Sequence, residues 1–280
     1  MKFTNPIYYE LKLLKLFKNK NLIKISNKTR DKKIAVFKDK VSKIIFLQKY
    51  FPNQKYNSNI KINLKHLDDD FRRVKQFNNY CYKKDVLDFG CGWGIFLLNL
   101  KKTRSLTGVD LRKNCLDYIR KKRKKIALYN NLKSLNQKFD IITLFHVLEH
   151  IPHQINTLKN LKNYLKKRGK IIIEVPHADD FLLNFDDLIE FKHFTFWSEH
   201  LILHTFKSLY LMLKKSGFKK IKIRYFQRYG FDNHLGWFIK KKPGGHIFFK
   251  KYSSKYLNEK YKKNLIKIKK TDTLIAEATI

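Results

Sequence analysis

The run Asp88-Phe89-Gly90-Cys91-Gly92-Trp93-Gly94 spaces three glycines as a ligand-binding turn requires. Lacking a Cβ, glycines let the backbone approach a ligand closely and aim the N–H groups of a following helix at it. A GxGxG alone serves several nucleotide-like cofactors, dinucleotides among them. Two acids narrow the chemistry. Asp88 directly precedes the first glycine, and Asp110 ends the apolar run Ser105–Val109. A carboxylate there can accept hydrogen bonds from both ribose hydroxyls.

A second group of reactive residues follows the later apolar runs. Phe145, His146, Glu149 and His150 come after one, and Glu174, Pro176 and His177 after the next. An imidazole, with a pKa near 6.5, suits general-base work on a hydroxyl acceptor. His150 and His146 are the leading candidates and His177 the next. Each also has a structural alternative: Glu149-His150 as a cap on the chain, His146 as a packed residue beside the cofactor. Further on, the aromatic- and His-rich stretch from Glu190 to Leu201 carries His193 and His200 and reads as a lid over the acceptor. Asn233 and His234 could read a polyol or a carbonyl. With Glu174 these make the expected substrate-binding set. No metal is expected, because neither HxH nor HExxH occurs.

These residues must be positioned by an alternating pattern. Three acids at 68–70, followed by Phe71, Val74 and Phe77, predict a helix with acids on its first turn. Strands are predicted at 85–89, 105–109, 126–129, 139–144 and 170–175, with helices at 95–100, 111–122 and 154–166 between them. The strands are nearly continuous apolar runs, as parallel strands covered on both faces should be. A helix at 206–216, a strand at 218–226 and a closing antiparallel strand at 272–279 complete the pattern. Insertions are expected at about 177–205 and 228–270. In such a sheet, ligands bind beyond the carboxyl ends of the strands.

Val86 to Gly94 resembles the first motif of the class I S-adenosylmethionine (SAM)-dependent methyltransferases, and Thr107-Gly108-Val109-Asp110 their second. Residues 139–150 and 165–176 resemble their fourth- and fifth-strand segments. The resemblance covers 85–226, about half the chain. It implies an α/β, Rossmann-like sheet, mostly parallel with a closing antiparallel strand, helices on both faces, and SAM as cofactor. Gly90, Gly92 and Gly94 would contact the methionine moiety and ribose, with Cys91 and Leu111 alongside. Asp88 would bind the amino end, directly or through water, and Asp110 the ribose. Where many relatives place an acid against the adenine amine, this chain has Asn130-Asn131, so Asn130 would substitute. Phe145 would pack on the cofactor.

Composition sets the remaining bounds. The 280 residues are 43% hydrophobic and 15% aromatic, enough for a sizeable core. They read as a basic N-terminal extension (1–65) and a methyltransferase domain (66–280). The excess of 62 Lys and Arg over 23 Asp and Glu, a formal +39, points to nucleic acid or an anionic surface. The Lys, Asn and Ile bias is equally what an AT-rich genome produces. Three cysteines without a CxxC pair suit a reducing cytoplasm rather than a disulfide framework. No run approaches a membrane span. The amphipathic stretch 7–25 is expected to pack on the domain, with peripheral membrane contact as the alternative.

The expected function is methyl transfer to a small-molecule hydroxyl, of a sugar or nucleotide-linked sugar in surface glycan synthesis. One alternative is an RNA methyltransferase recruited by the basic surface. Against amine methylation of nucleic acid, Phe145-His146-Val147-Leu148 stands where base-amine methyltransferases commonly carry an Asn/Asp-Pro-Pro-aromatic tetrapeptide. A non-catalytic module keeping the SAM fold is the other alternative.

Overall fold

The computed structural model describes residues 2–52 and 68–280. The expected boundary near residue 65 lies outside the described residues. In chain order the regular elements begin with helix α1 (Pro6–Leu13) and strands β1 (Leu22–Ser26), β2 (Val36–Asp39) and β3 (Ile45–Leu47). Then come α2 (Asp68–Cys81), β4 (Asp85–Phe89), α3 (Ile95–Asn99), β5 (Ser105–Val109), α4 (Lys113–Lys122), β6 (Ala127–Tyr129), β7 (Phe139–Phe145), α5 (Gln154–Asn163) and β8 (Leu165–Pro176). The last part holds α6 (Ile189–Thr195), β9 (Ile202–Leu203), α7 (Phe206–Lys215), β10 (Lys219–Phe226), α8 (Phe231–Lys240), α9 (Gly245–Phe248), α10 (Lys255–Lys267) and β11 (Thr273–Thr279).

The main sheet has the order β10-β11-β8-β7-β4-β5-β6. Its β8-β7-β4-β5-β6 portion is parallel, and β11 inserts antiparallel between β8 and β10. Successive strand residues point to opposite faces, so each strand feeds two cores. Val86, Leu106, Ile141 and Ile172 pack on one side with Phe77, Phe96 and Ile119. Leu87, Val109, Ile142 and Ile171 pack on the other with Leu158, Leu209 and Met212. The expected closing strand is therefore present and the doubly covered sheet is the fold. The helix predicted to reach residue 166 stops at Asn163, and β8 starts five residues before the expected strand. The added strand residues are accommodated by a register shift between Phe139 and Ile141.

The N-terminal part is not an appendage. β1, β2 and β3 form an antiparallel sheet whose fourth strand is β9, from the first insertion (Ile45↔Leu203, Phe46↔Ile202). Asn5 caps α1 and also donates from Nδ2 to the carbonyls of Leu47 (2.9 Å) and Leu201 (3.0 Å). Glu10 accepts from the N–H groups of Gln154 and Ile155, so a side chain of α1 satisfies the open end of α5. The stretch 7–25 is not one amphipathic helix. α1 ends at Leu13, its Ile7 and Leu11 are fully buried in the core, and β1 follows. Ile7 and Leu11 are thus consumed by packing, while Tyr9 and Leu13 of the same helix stay exposed. Among the described residues no helix is long and apolar enough to cross a membrane.

Candidate active site

The strand order reverses between β5 and β7 on either side of β4, which opens a crevice at the carboxyl ends of these strands. The glycine loop fills the β4 side. Gly90, Gly92 and Gly94 all have positive φ (76°, 52° and 69°), and the N–H groups of Gly90 and Cys91 donate to Val109 O, folding the loop over β5. A Cβ on Gly90 would lie 2.4 Å from Val147 Cγ2. The glycine loop and the turn after β7 are therefore in direct van der Waals contact.

Asp88 is buried beside Thr143 of β7, whose hydroxyl donates to it at 2.7 Å. Burial pushes its carboxyl up to about 7 against that hydrogen bond. Asp110, at the end of β5, is the hub of the crevice. Its Oδ2 accepts from Gly92 N (2.8 Å) and Arg112 Nη2 (3.1 Å), and its Oδ1 from Arg112 N (2.9 Å) and Nε (3.0 Å). The guanidinium presents two parallel donors to the carboxylate, as a ribose diol would. Its side chain is 27% exposed and the aspartate's 6%. The arginine can swing out and the carboxylate stays. With that exchange the crevice fits the cofactor the resemblance implies: a glycine loop open on one side, a fixed carboxylate for two hydroxyls, and a buried acid below. Cys91 is buried against Gly108, and Leu111 is exposed, free to cover a flat ring. Asn130 is exposed and accepts from Asn131 Nδ2, so its amide stands at the rim of β6. Phe145 packs on Phe77 and Phe96 with Arg73 over its ring, so it is a core aromatic rather than a free platform for the cofactor.

The turn after β7 carries the histidines. His146 has φ 52°, a left-handed conformation costly outside glycine, and its N–H is tied to Glu174 O at 2.9 Å. Its Nδ1 lies 3.2 Å from Glu149 Oε1 and its Nε2 3.2 Å from Glu174 Oε1. Burial and Arg228 oppose its charge, yet the two carboxylates outweigh them and its pKa is raised. Its Nε2 also lies 3.3 Å from Arg228 Nη1, so the ring expected as a base is engaged on both nitrogens and turned into the arginine network.

Glu174 is likewise not presented to a substrate. Its Oε1 accepts from Arg72 Nη2 (2.7 Å) and Arg73 Nη2 (2.8 Å), and the side chain is fully buried. Arg228 joins the same network through Asp69 (3.0 Å) and Asp272 (3.3 Å). Sequence reasoning missed Arg72 and Arg73, which come from α2, and gave no role in this network to Arg228, two residues past β10. Only the wound sheet places them behind the acceptor edge. Arg112 was missed too, although its position two residues after Asp110 was a usable signal.

His150 is different. Burial lowers its pKa, and Glu149 only partly offsets that, so the ring is neutral at pH 7. His200 is brought to it by Leu201 N, which donates to Glu149 O (2.9 Å), and the two rings stand 4.9 Å apart. Burial, then His150, push His200 down to about 3. Glu149 is held at about 2: the hydrogen bond and charge of His146, with those of the other histidines, overcome burial. Donor atoms of Glu149, His150 and His200 all lie within 4.8 Å of one another, a set able to hold a metal ion. Local spacing cannot show it, because the third member is 50 residues further on and arrives through the insertion. His146 and His150 do stand four apart, but His146 is turned into the arginine network.

The remaining expected residues are elsewhere. His177 donates from Nδ1 to Thr271 O (2.8 Å) and packs on Tyr225, beside Ser42 and Lys43. His193 is half-buried on α6 near Lys28, apart from the cluster. His234 is buried between Tyr261 (2.9 Å) and Gln227, stacked on Phe181, and Asn233 is buried beside it on α8. They fix the second insertion, and no contact places them with His150. Glu199, 3.9 Å from His150 Nδ1, belongs to the edge instead.

Known proteins resemble both halves of this arrangement. Residues 47–223 match the family model described as a methyltransferase domain. An uncharacterized protein of Methanocaldococcus jannaschii is 35% identical over 112 residues, 39% of this chain and 48% of that protein. A ubiquinone biosynthesis O-methyltransferase of Actinobacillus pleuropneumoniae is 31% identical over 110 residues, 34% of this chain and 47% of that protein. The chain thus spans about half the length of the curated relatives it matches. Among solved structures, a SAM-dependent methyltransferase of Thermotoga maritima aligns with a TM-score of 0.51 at 16% identity, over 77% of this chain and 91% of that one. Magnesium protoporphyrin IX methyltransferase of Synechocystis, with bound SAH, aligns at 0.50 and 13% identity, over 79% and 89%. At such identities these two show the fold.

Proposed function

The chain belongs to the class I SAM-dependent methyltransferases, and from that premise we propose that it transfers a methyl group to a hydroxyl of a small molecule. The observation that carries this reading is the neutral, half-buried His150 on the turn that packs directly against the glycine loop. SAM, when bound, supplies an electrophilic methyl on a sulfonium, and transfer to oxygen needs the acceptor's proton removed as the bond forms. His150 is neutral and stands 3.9 Å from Glu149 and from Glu199, beyond hydrogen-bond reach of either, so with no ion bound it is the base. Glu149 is ionised behind it and stabilises the imidazolium that proton uptake creates. His146 is a positioning residue, holding Glu149 from the other side. Val147 over Gly90 fixes the distance between cofactor loop and acceptor edge, which is what an in-line displacement demands.

The A. pleuropneumoniae relative's name, an O-methyltransferase, supports oxygen as the receiving atom. Within that class we assign the acceptor to sugars or nucleotide-linked sugars, in keeping with a polar edge and a positive field that draws anionic molecules. The test is transfer of labelled methyl from SAM to a panel of hydroxylated sugars, nucleotide-sugars and phenols, with structured RNA alongside. Labelled hydroxyl products support the reading. Methylated RNA with no small-molecule product, and RNA affinity that falls steeply with salt, would replace it.

A further inference from the structure

We propose that Glu149, His150 and His200 form a binding site for one first-row divalent transition-metal ion, of the zinc, manganese or cobalt kind, at the acceptor edge. Their donor atoms lie within 4.8 Å of one another. Two donors each about 2.1 Å from one tetrahedral ion are roughly 3.4 Å apart, so small side-chain rotations close the set. Two imidazoles and one carboxylate are the donors such ions prefer, and softer or harder ions are served by thiolates or all-oxygen sets.

Two independent observations point to a missing ligand. Glu149 Oε2 is buried without a hydrogen-bond partner, although the residue is fully enclosed. A buried carboxylate oxygen left bare costs several kcal/mol in general terms, and a cation is the partner that relieves it. The ring of His200 is oriented as a ligand's should be. Its Nδ1 is 3.3 Å from Thr195 O and donates there, which leaves the Nε2 lone pair pointing away from the backbone. Glu149 is itself steadied by His146 at Oε1, so the acid is buttressed while its other oxygen stays open.

Three protein ligands leave coordination positions for an acceptor oxygen. This part of the proposal rests on the methyl-transfer reading; the ion site itself does not. An acceptor hydroxyl bound at such a position is acidified. Its proton would pass to Glu199, a carboxylate outside the ligand set that lies 3.9 Å from His150 Nδ1. The O–CH3 bond then forms as the S–CH3 bond breaks, and the electron pair stays on sulfur. His150 in this arrangement spends its lone pair on the ion and no longer takes the proton.

The test is a titration of the full chain, stripped with chelator, with Co2+ followed by visible absorption, and in parallel with Mn2+ and Zn2+ by calorimetry. One equivalent bound, with a ligand-field spectrum, is expected. His200→Asn should weaken binding by more than the roughly 10- to 100-fold typical of outer-shell changes, and His200→Phe, which keeps the packing on Trp197, should do the same. His153→Ala, an exposed histidine three residues from His150, should change nothing. Equal weakening in His153→Ala and His200→Asn, or no stoichiometric binding of any of the three ions, overturns the site. SAM binding by calorimetry in the same samples keeps the two questions apart. If SAM binds without metal and methyl transfer is unaffected by chelator, the ion's part in transfer falls and the transferase stands with His150 as base; the site itself stands or falls on the stoichiometric binding above. If transfer is lost on chelation and returns with Co2+, the ion is part of it.

Discussion

Asp110 and Arg112 face each other across one residue, and both carboxylate oxygens are covered by the guanidinium fork at 3.0 and 3.1 Å. The pair holds in place the group that the ribose needs. Asp110→Ala should abolish measurable SAM affinity, a loss of 100-fold or more in calorimetry, since two charge-assisted hydrogen bonds at about 1.5–3 kcal/mol each are removed. Arg112→Ala should act in the opposite direction. The half-open fork is worth about 1 kcal/mol, so its removal should tighten SAM by roughly fivefold. Weaker binding in Arg112→Ala would mean that the arginine holds the cofactor rather than its place.

Gly90→Ala tests the contact between loop and edge. A side chain there needs φ near 76° and meets Val147 Cγ2 at 2.4 Å. Left-handed strain of about 1–2 kcal/mol and overpacking of about 1–3 kcal/mol should add. The expected loss, read from chemical denaturation, is roughly 2–5 kcal/mol. Gly90→Ala with Val147→Ala should recover only the packing part.

His150→Ala should cost on the order of 10²–10⁴ in the rate of methyl transfer with SAM affinity unchanged. His146→Ala should instead lower the unfolding midpoint and disturb both parameters, because it leaves Glu149 and Glu174 without the imidazole they share. A rate loss below tenfold for His150→Ala would remove it from the chemistry.

Asp180 gives a pH prediction away from the crevice. Burial, then Asp272, push its carboxyl up to about 8. Below about pH 4 both folded and unfolded chains carry the proton, so nothing is gained or lost. Between about 4 and 8 only the folded chain keeps it, and stability falls as pH rises through that window. Asp180→Asn keeps the cap on Leu182 N but has no proton to lose. The variant's melting temperature should match the wild type at pH 4 and exceed it by several degrees at pH 8.5. Equal melting at both pH values would show that the carboxyl titrates normally.

What the sequence made legible follows a physical line. The glycine loop, Asp88 and Asp110 are local: a strand, a turn and the next strand's end, all readable from apolar runs and breakers. The closing strand was readable for the same reason. The acceptor edge was only half readable. His150 and Glu149 lie together in the chain, but His200 reaches them through one backbone hydrogen bond between Leu201 and Glu149. Nothing local encodes that. The fate of His146 was hidden likewise, because beyond Glu149 its partners are Glu174 of β8 and Arg228 after β10, which only the fold brings to it. His177, Asn233 and His234 have the right side chains and the wrong neighbours. The N-terminal residues carry no motif at all, yet they build three of the four strands of a sheet whose last strand only the insertion supplies.

The pairing of the N-terminal strands with β9 has a consequence for synthesis. Asn5 waits for a carbonyl 196 residues away. At translation speeds of about 5–20 residues per second, that is on the order of 10–40 seconds. For most of that interval β3 has emerged with one edge bare, and its Ile45, Phe46 and Leu47 have only the N-terminal part of their core to enter. A ribosome that pauses before residue 203 therefore exposes a sticky ribbon, and rare codons in that stretch should favour aggregation over folding. The strands that are made first are the ones that finish folding last.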